Sequence, residues 1–147
     1  VAAGTFPVLR GIVFSDNLVS MATILVAEDN ADARRPLVRL LKLEGYEVLI
    51  AVDAFEAMAS AQRGNPDLIL LDVGMPPIDG LTFLSRLRET PGGMNLPVIL
   101  VTGLSDPLTR KRAEDLGVKE FLVKSQFTPD ELLAKVREHL RTKPAPA

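Results

Sequence analysis

Five polar residues stand where short apolar runs stop: Glu28 and Asp29 after Ile24–Ala27, Asp72 after Leu68–Leu71, Thr102 after Pro97–Val101, and Lys124 after Glu120–Val123. Three carboxylates brought into one crevice would repel one another, and a hard cation among them would relieve that repulsion. Mg²⁺ suits such a place, because it takes oxygen ligands at about 2.0–2.1 Å, keeps several waters, and uses one or two carboxylates together with phosphate oxygens. Asp29 and Asp72 are the candidate direct ligands. Lys124 can balance a developing charge on a phosphoryl oxygen, and Thr102 can donate a hydrogen bond to it. The set points to phosphoryl transfer onto a carboxylate that is already ionised, with Asp72 as the acceptor and no general base required.

For these residues to meet, the apolar runs must be neighbouring parallel strands. Short runs rich in Val, Ile and Leu alternate with longer segments of helical period, which predicts five strand-helix units around a parallel sheet. The predicted strands are Ile24–Ala27, Glu47–Ala51, Leu68–Leu71, Pro97–Val101 and Glu120–Val123, apolar enough for a sheet covered on both faces. The carboxyl ends of such strands form the ligand crevice, so residues far apart in sequence converge there. Helix starts are signalled by Asp53 with Glu56, by Asp106-Pro107 and by Thr128-Pro129-Asp130-Glu131. Gly45, Gly64 and Gly117 are expected helix ends. Pro36 would cost the first helix a hydrogen bond, which predicts a late start or a local kink there.

The chain has 147 residues, 47% of them hydrophobic and 24% charged, enough for one domain with a packed core. Seventeen basic against nineteen acidic side chains give a net charge of −2, which offers no global attraction to nucleic acid or anionic membrane. No apolar run reaches the roughly 20 residues of a membrane span. Without cysteine, thiol and disulfide chemistry are excluded, and a cytoplasmic location is the expectation. Residues 1–20 are expected to be a flexible N-terminal extension, 21–141 the domain, and 142–147 a flexible tail ending in Lys-Pro-Ala-Pro-Ala.

Four motifs in order give the chain a family resemblance: Ile24-Leu25-Val26-Ala27-Glu28-Asp29-Asn30, Leu70-Leu71-Asp72-Val73-Gly74-Met75-Pro76-Pro77-Ile78-Asp79-Gly80, Val101-Thr102-Gly103, and Phe121-Leu122-Val123-Lys124. From about Thr23 to about Leu140 it resembles the receiver domain of bacterial two-component response regulators, similar to the chemotaxis response regulator. The resemblance implies a flavodoxin-like, doubly wound α/β fold, with five parallel strands in the order 2-1-3-4-5 and helices on both faces. It also implies Asp72 as phosphoacceptor and Mg²⁺ (or Mn²⁺) held by Asp29, Asp72 and the backbone carbonyl of Gly74, with Glu28 acting through water. Thr102 and Phe121 become a switch pair. A sensor histidine kinase or histidine phosphotransfer protein becomes the donor, and an unknown downstream protein meets the face made by the fourth helix, fifth strand and fifth helix.

On this reading the protein is a stand-alone signalling switch, not an enzyme, although it assists its own phosphoryl transfer and dephosphorylation; direct contact with nucleic acid or membrane is not expected. Two departures stand out. Ser125 follows Lys124 where the family usually has a proline after a cis peptide, and a cis bond to a non-proline costs about 2.5–4 kcal/mol. Phe121 lacks the hydroxyl of the alternative tyrosine and is expected to rest inside. Gly74 and Leu104 offer no polar group to orient an attacking water, so a long-lived phosphorylated form is expected.

Alone, each residue has a commoner explanation: a strand-end Asp caps a turn, a Thr bonds its own backbone, a Lys is solvated. His139 is read as a charge near a helix end, not a catalyst. Arg110-Lys111-Arg112 is a basic run, solvated or a partner contact. Two other functions compete. A receiver-fold interaction module not regulated by phosphorylation would lack an acidic or lysine position, yet all are present. A flavin-binding or hydrolytic enzyme would need a phosphate-cradling Gly/Ser/Thr loop where Glu28-Asp29-Asn30 stands.

Overall fold

The computed structural model of the protein describes residues 12–15, 18–103 and 106–141. Strands β1 (Ile12–Ser15) and β2 (Leu18–Met21) pair antiparallel as a separate two-stranded sheet. The sequence reading did not anticipate them; residues 1–11 of the expected extension and the tail 142–147 lie outside the described residues. Five strands, β3 (Thr23–Ala27), β4 (Glu47–Ala51), β5 (Leu68–Leu71), β6 (Val98–Thr102) and β7 (Glu120–Val123), form a parallel sheet in the order β4-β3-β5-β6-β7. Counted by themselves, these strands run 2-1-3-4-5, the order the resemblance implies.

Helices α1 (Ala31–Leu43), α2 (Ala54–Arg63), α3 (Gly80–Arg88), α4 (Pro107–Asp115) and α5 (Pro129–Arg141) cover the sheet. Alternation along the strands sorts the core into two layers, as the period of two demands. Leu25, Ala27, Ile69, Leu71, Val98 and Leu100 pack with residues of α2, α3 and α4 on one face. On the other, Ile24, Val26, Leu68, Leu70, Ile99 and Val101 pack with α1 and α5. At about 25 cal/mol per Å² of apolar area removed from water, strands covered on both faces are the main stabilising mass of the domain. No described helix is long and apolar enough to cross a membrane.

Caps fix where the helices begin. Asn30, Asp53, Asp79 and Asp106 each accept a hydrogen bond from the backbone N–H three residues on, and Thr128 does the same for Glu131. Asp79 was not singled out as a cap by the sequence. Gly45 (φ 92°) and Gly117 (φ 86°) turn left-handed after α1 and α4, where a Cβ would be strained. The expectation of a late start for the first helix is overturned: α1 begins at Ala31, five residues before Pro36. The Asn30 cap sets that start, and Asp32 and Pro36 are both exposed, so the carbonyl that Pro36 leaves without a helical donor meets water. Strand β6 is also displaced from its expected bounds: Pro97 precedes it and Thr102 is its last residue.

Candidate functional site

Strand register delivers the acidic residues together. Ala27 lies opposite Ala51 on one side and Leu71 on the other, so Glu28 and Asp72 leave the sheet side by side. Backbone hydrogen bonds continue the sheet one step past the strands: the Glu28 N–H donates to the Ala51 carbonyl and the Asp72 N–H to that of Ala27, both at 3.0 Å. Each of Glu28, Asp29 and Asp72 offers a carboxylate oxygen within 4.8 Å of the other two.

The chain also places Lys124 in this hollow, although 52 residues separate it from Asp72. Its ammonium lies 2.5 Å from Glu28 Oε1 and 3.2 Å from Asp72 Oδ2. Glu28 Oε2 accepts the Asn30 N–H at 3.1 Å, and Asp72 Oδ1 accepts the Gly74 N–H at 3.2 Å. Glu28, Asp72 and Thr102 are the buried polar side chains among the described residues, while Asp29 is exposed. Burial raises the Glu28 carboxyl above its ordinary value, with the charge of Asp72 adding to the rise; the hydrogen bonds from Lys124 and Asn30 oppose it. For Lys124, burial alone would lower the ammonium, but its hydrogen bond to Glu28 and the charges of Asp72 and Glu28 together raise it. The ammonium faces two carboxylates and stays charged, whereas Glu28 bears the desolvation.

Thr102 closes β6 opposite Val123, and its carbonyl accepts the Lys124 N–H at 3.0 Å. Its side chain and Phe121 line one small cavity with Thr109 and Arg110. Phe121 is only partly buried, against the expectation of an inward ring: the Arg110 guanidinium sits 4.4 Å from the ring centroid and covers it from outside. The Lys124–Ser125 peptide is trans; the cis bond among the described residues joins Pro76 and Pro77. Ser125 instead turns with φ 67°, in the left-handed region that a proline ring cannot enter. His139 lies 3.8 Å from Glu120 Oε1, at the opposite end of β7 from Lys124. Leu104 lies outside the described residues.

Two residues important to this geometry escaped the sequence reading. Gly80 opens α3 directly against the phosphoacceptor candidate: a Cβ there would fall 2.2 Å from the Asp72 carbonyl oxygen. Arg34, in the second turn of α1, donates from Nη1 to the carbonyls of Glu28 at 3.0 Å and Asp29 at 3.2 Å. Gly80 lies within the Asp72 motif, so its position was visible even though its contact was not. Nothing in the spacing marks Arg34 out from the other basic residues of its helix.

The donor set fits a hard cation. An octahedral ion with bonds of about 2.1 Å holds its oxygens from about 3 to about 4.2 Å apart, and the three carboxylates here each offer an oxygen within 4.8 Å of the other two. Oxygen ligands of this kind suit Mg²⁺ or Mn²⁺ and not a thiolate-seeking metal.

Comparison with known proteins agrees with this fold. The family described as the response regulator receiver domain matches residues 24–137. A probable transcriptional regulator, ycf27, of Porphyridium aerugineum is 39% identical over 118 residues, covering 80% of this chain and 48% of that protein. The chain thus spans about half the length of the curated relatives it matches. Among solved structures, the chemotaxis protein CheY4 of Vibrio cholerae aligns with a TM-score of 0.76 and 31% identity, over 81% of this chain and 98% of that one. The Mn(2+)-bound form of response regulator Rcp1 aligns with a TM-score of 0.71 and 28% identity, over 86% of this chain and 99% of its own.

Proposed function

This chain belongs to the response regulator receiver domain family, and on that premise we propose that Asp72 accepts a phosphoryl group from a histidine kinase or histidine phosphotransfer protein, in a reaction that depends on Mg²⁺ or Mn²⁺. The observation that carries the reading is the convergence of Glu28, Asp29 and Asp72 with Lys124 in one hollow. A carboxylate oxygen of Asp72 attacks phosphorus, the bond from phosphorus to the donor nitrogen breaks, and the leaving imidazole keeps the electron pair. Asp29, Asp72 and the Gly74 carbonyl would hold the cation, with Glu28 helping through water, and the bound ion would neutralise charge on the phosphoryl oxygens. Lys124 already touches Asp72 and balances charge as the aspartyl phosphate forms.

A groove between α1 and α5, lined by Pro36, Leu40, Leu43, Phe127 and Leu132 among others, reaches Glu28 and Lys124. It offers an apolar seat for a donor protein's helix beside the acceptor. Thr102 hydrogen-bonds the bound phosphoryl group, and Phe121, which shares its cavity, moves in response. The face of α4, β7 and α5 carries that change to a downstream protein in the cytoplasm, through protein contacts and not through direct contact with nucleic acid or membrane. With no side chain at Gly74 to place a water, hydrolysis is slow.

The test is incubation with Mg²⁺ and acetyl phosphate followed by intact mass. One added phosphate is expected on the native chain and none on Asp72→Asn. Labelling undiminished in Asp72→Asn would refute the assignment of the acceptor. No labelling of the native chain would favour the interaction module that keeps the fold without using phosphate.

A further inference from the structure

The acidic pair sits on a turn, not on a strand, and turns need something to hold them. From Glu28 to Asn30 the backbone is tied at nearly every group. The Glu28 N–H is taken by Ala51, the Asn30 N–H by the Glu28 side chain, and the Asn30 carbonyl by the Arg34 N–H at 2.9 Å. Two carbonyls remain, those of Glu28 and Asp29, and one guanidinium nitrogen of Arg34 takes both. We infer that Arg34 is a positioning residue for the cation site: its guanidinium fixes the peptide planes on either side of Asp29 and so presets the direction of the exposed Asp29 carboxylate. The inference rests on the proposed metal-dependent reading of the same hollow.

Chemistry favours this assignment over a merely electrostatic one. Among the described residues, the Arg34 guanidinium donates to the backbone oxygens of Glu28 and Asp29 and not to the carboxylates of the hollow. As a nearby positive charge it opposes a bound cation, and as a clamp it assists one. Removing it therefore has opposite predicted signs on the two accounts. Groups that hydrogen-bond behind metal ligands commonly change metal affinity by about 10–100-fold when replaced. The Arg34 contact is one step further back, through the backbone, so the lower end of that range applies. Asp29 gains most, since Glu28 and Asp72 are buried and anchored by Lys124 while Asp29 is exposed.

The experiment titrates the purified full chain with Mn²⁺ and follows the free ion by its electron paramagnetic resonance signal. Arg34→Met is expected to weaken Mn²⁺ binding about tenfold despite the loss of a positive charge. Arg34→Lys, which keeps charge and stem but not the planar fork, is expected to fall between Arg34→Met and the native chain. Circular dichroism melts in EDTA accompany each variant, and where Arg34→Met is unfolded at the assay temperature Arg34→Lys alone decides. Affinity equal to or tighter than native in the folded variants would overturn the inference while leaving the function intact. Absence of Mn²⁺ binding by the native chain would instead overturn the metal-dependent reading on which it rests.

Discussion

Removing the Lys124 ammonium should make the metal-free protein less stable and its metal binding tighter. In the structure that ammonium lies 2.5 and 3.2 Å from two buried carboxylates, and it is the cation that makes the acidic hollow tolerable. At an effective dielectric of about 20, unit charges roughly 3 Å apart attract by about 5 kcal/mol, most of it offset by the desolvation of both partners. Deleting one partner of a fully buried pair costs about 3–5 kcal/mol. The Lys124 side chain keeps 29% of its exposure, so water replaces part of what is lost, and about 2 kcal/mol is the reasoned figure for Lys124→Met. That corresponds to a melting temperature lower by roughly 6 °C in EDTA. A divalent ion supplies the missing charge, so the deficit should close as Mg²⁺ is added. If the ion relieves all of it, affinity rises by up to about 30-fold. Thermal melts in EDTA and across a Mg²⁺ series, with calorimetric titration of both proteins, measure each quantity. A loss of stability equal with and without metal, or weaker binding by the variant, would refute the idea that lysine and metal neutralise the same carboxylates. The contrast with Arg34 is built in, since Lys124 touches the carboxylates themselves.

Two further predictions concern the same hollow. Gly80→Ala forces a methyl against the Asp72 carbonyl and against Val73 Cα at 3.0 Å, backbone atoms that cannot rotate away. A stability loss of about 2–3 kcal/mol by urea unfolding and slower labelling by acetyl phosphate are expected. As for pH, burial raises Glu28 above its usual 4.5, so its contribution to metal-free stability is full below that value and is lost as pH rises through the raised folded value. Metal affinity runs the other way, falling on acidification before ordinary carboxylates titrate; Glu28→Gln should remove that part of the pH profile measured with Mn²⁺.

Much of this architecture was legible because burial on both sheet faces leaves a plain trace: runs such as Leu68–Leu71 can be little else. The site followed from topology, since strand ends converge whatever lies between them. Helix starts were readable where Asp or Thr stood before proline or three residues ahead of Glu, as at Asp53, Asp106 and Thr128. What could not be read depended on tertiary partners. Pro36 reads as a helix breaker, yet the Asn30 cap outweighs one lost hydrogen bond on a solvent-facing turn. Phe121 reads as an inward aromatic, yet Arg110 of α4 covers it. Arg34 and Gly80 act through backbone oxygens, and no pattern of side-chain types announces a contact with a carbonyl. The β1–β2 hairpin is short and precedes the domain, so no periodicity set it apart from an appendage.

Position within the sheet divides the hollow into unequal halves. Glu28, Asp29 and Asp72 ride on β3 and β5, interior strands with a neighbour on either side, while Lys124 rides on four-residue β7, which is bonded to β6 alone in the five-stranded sheet. Fraying of that margin would withdraw the ammonium and leave the carboxylates in place, so the basic partner is the detachable component and its amides exchange sooner with solvent deuterium. A border strand can thus come and go as a counter-charge without dismantling the nucleophile's own support.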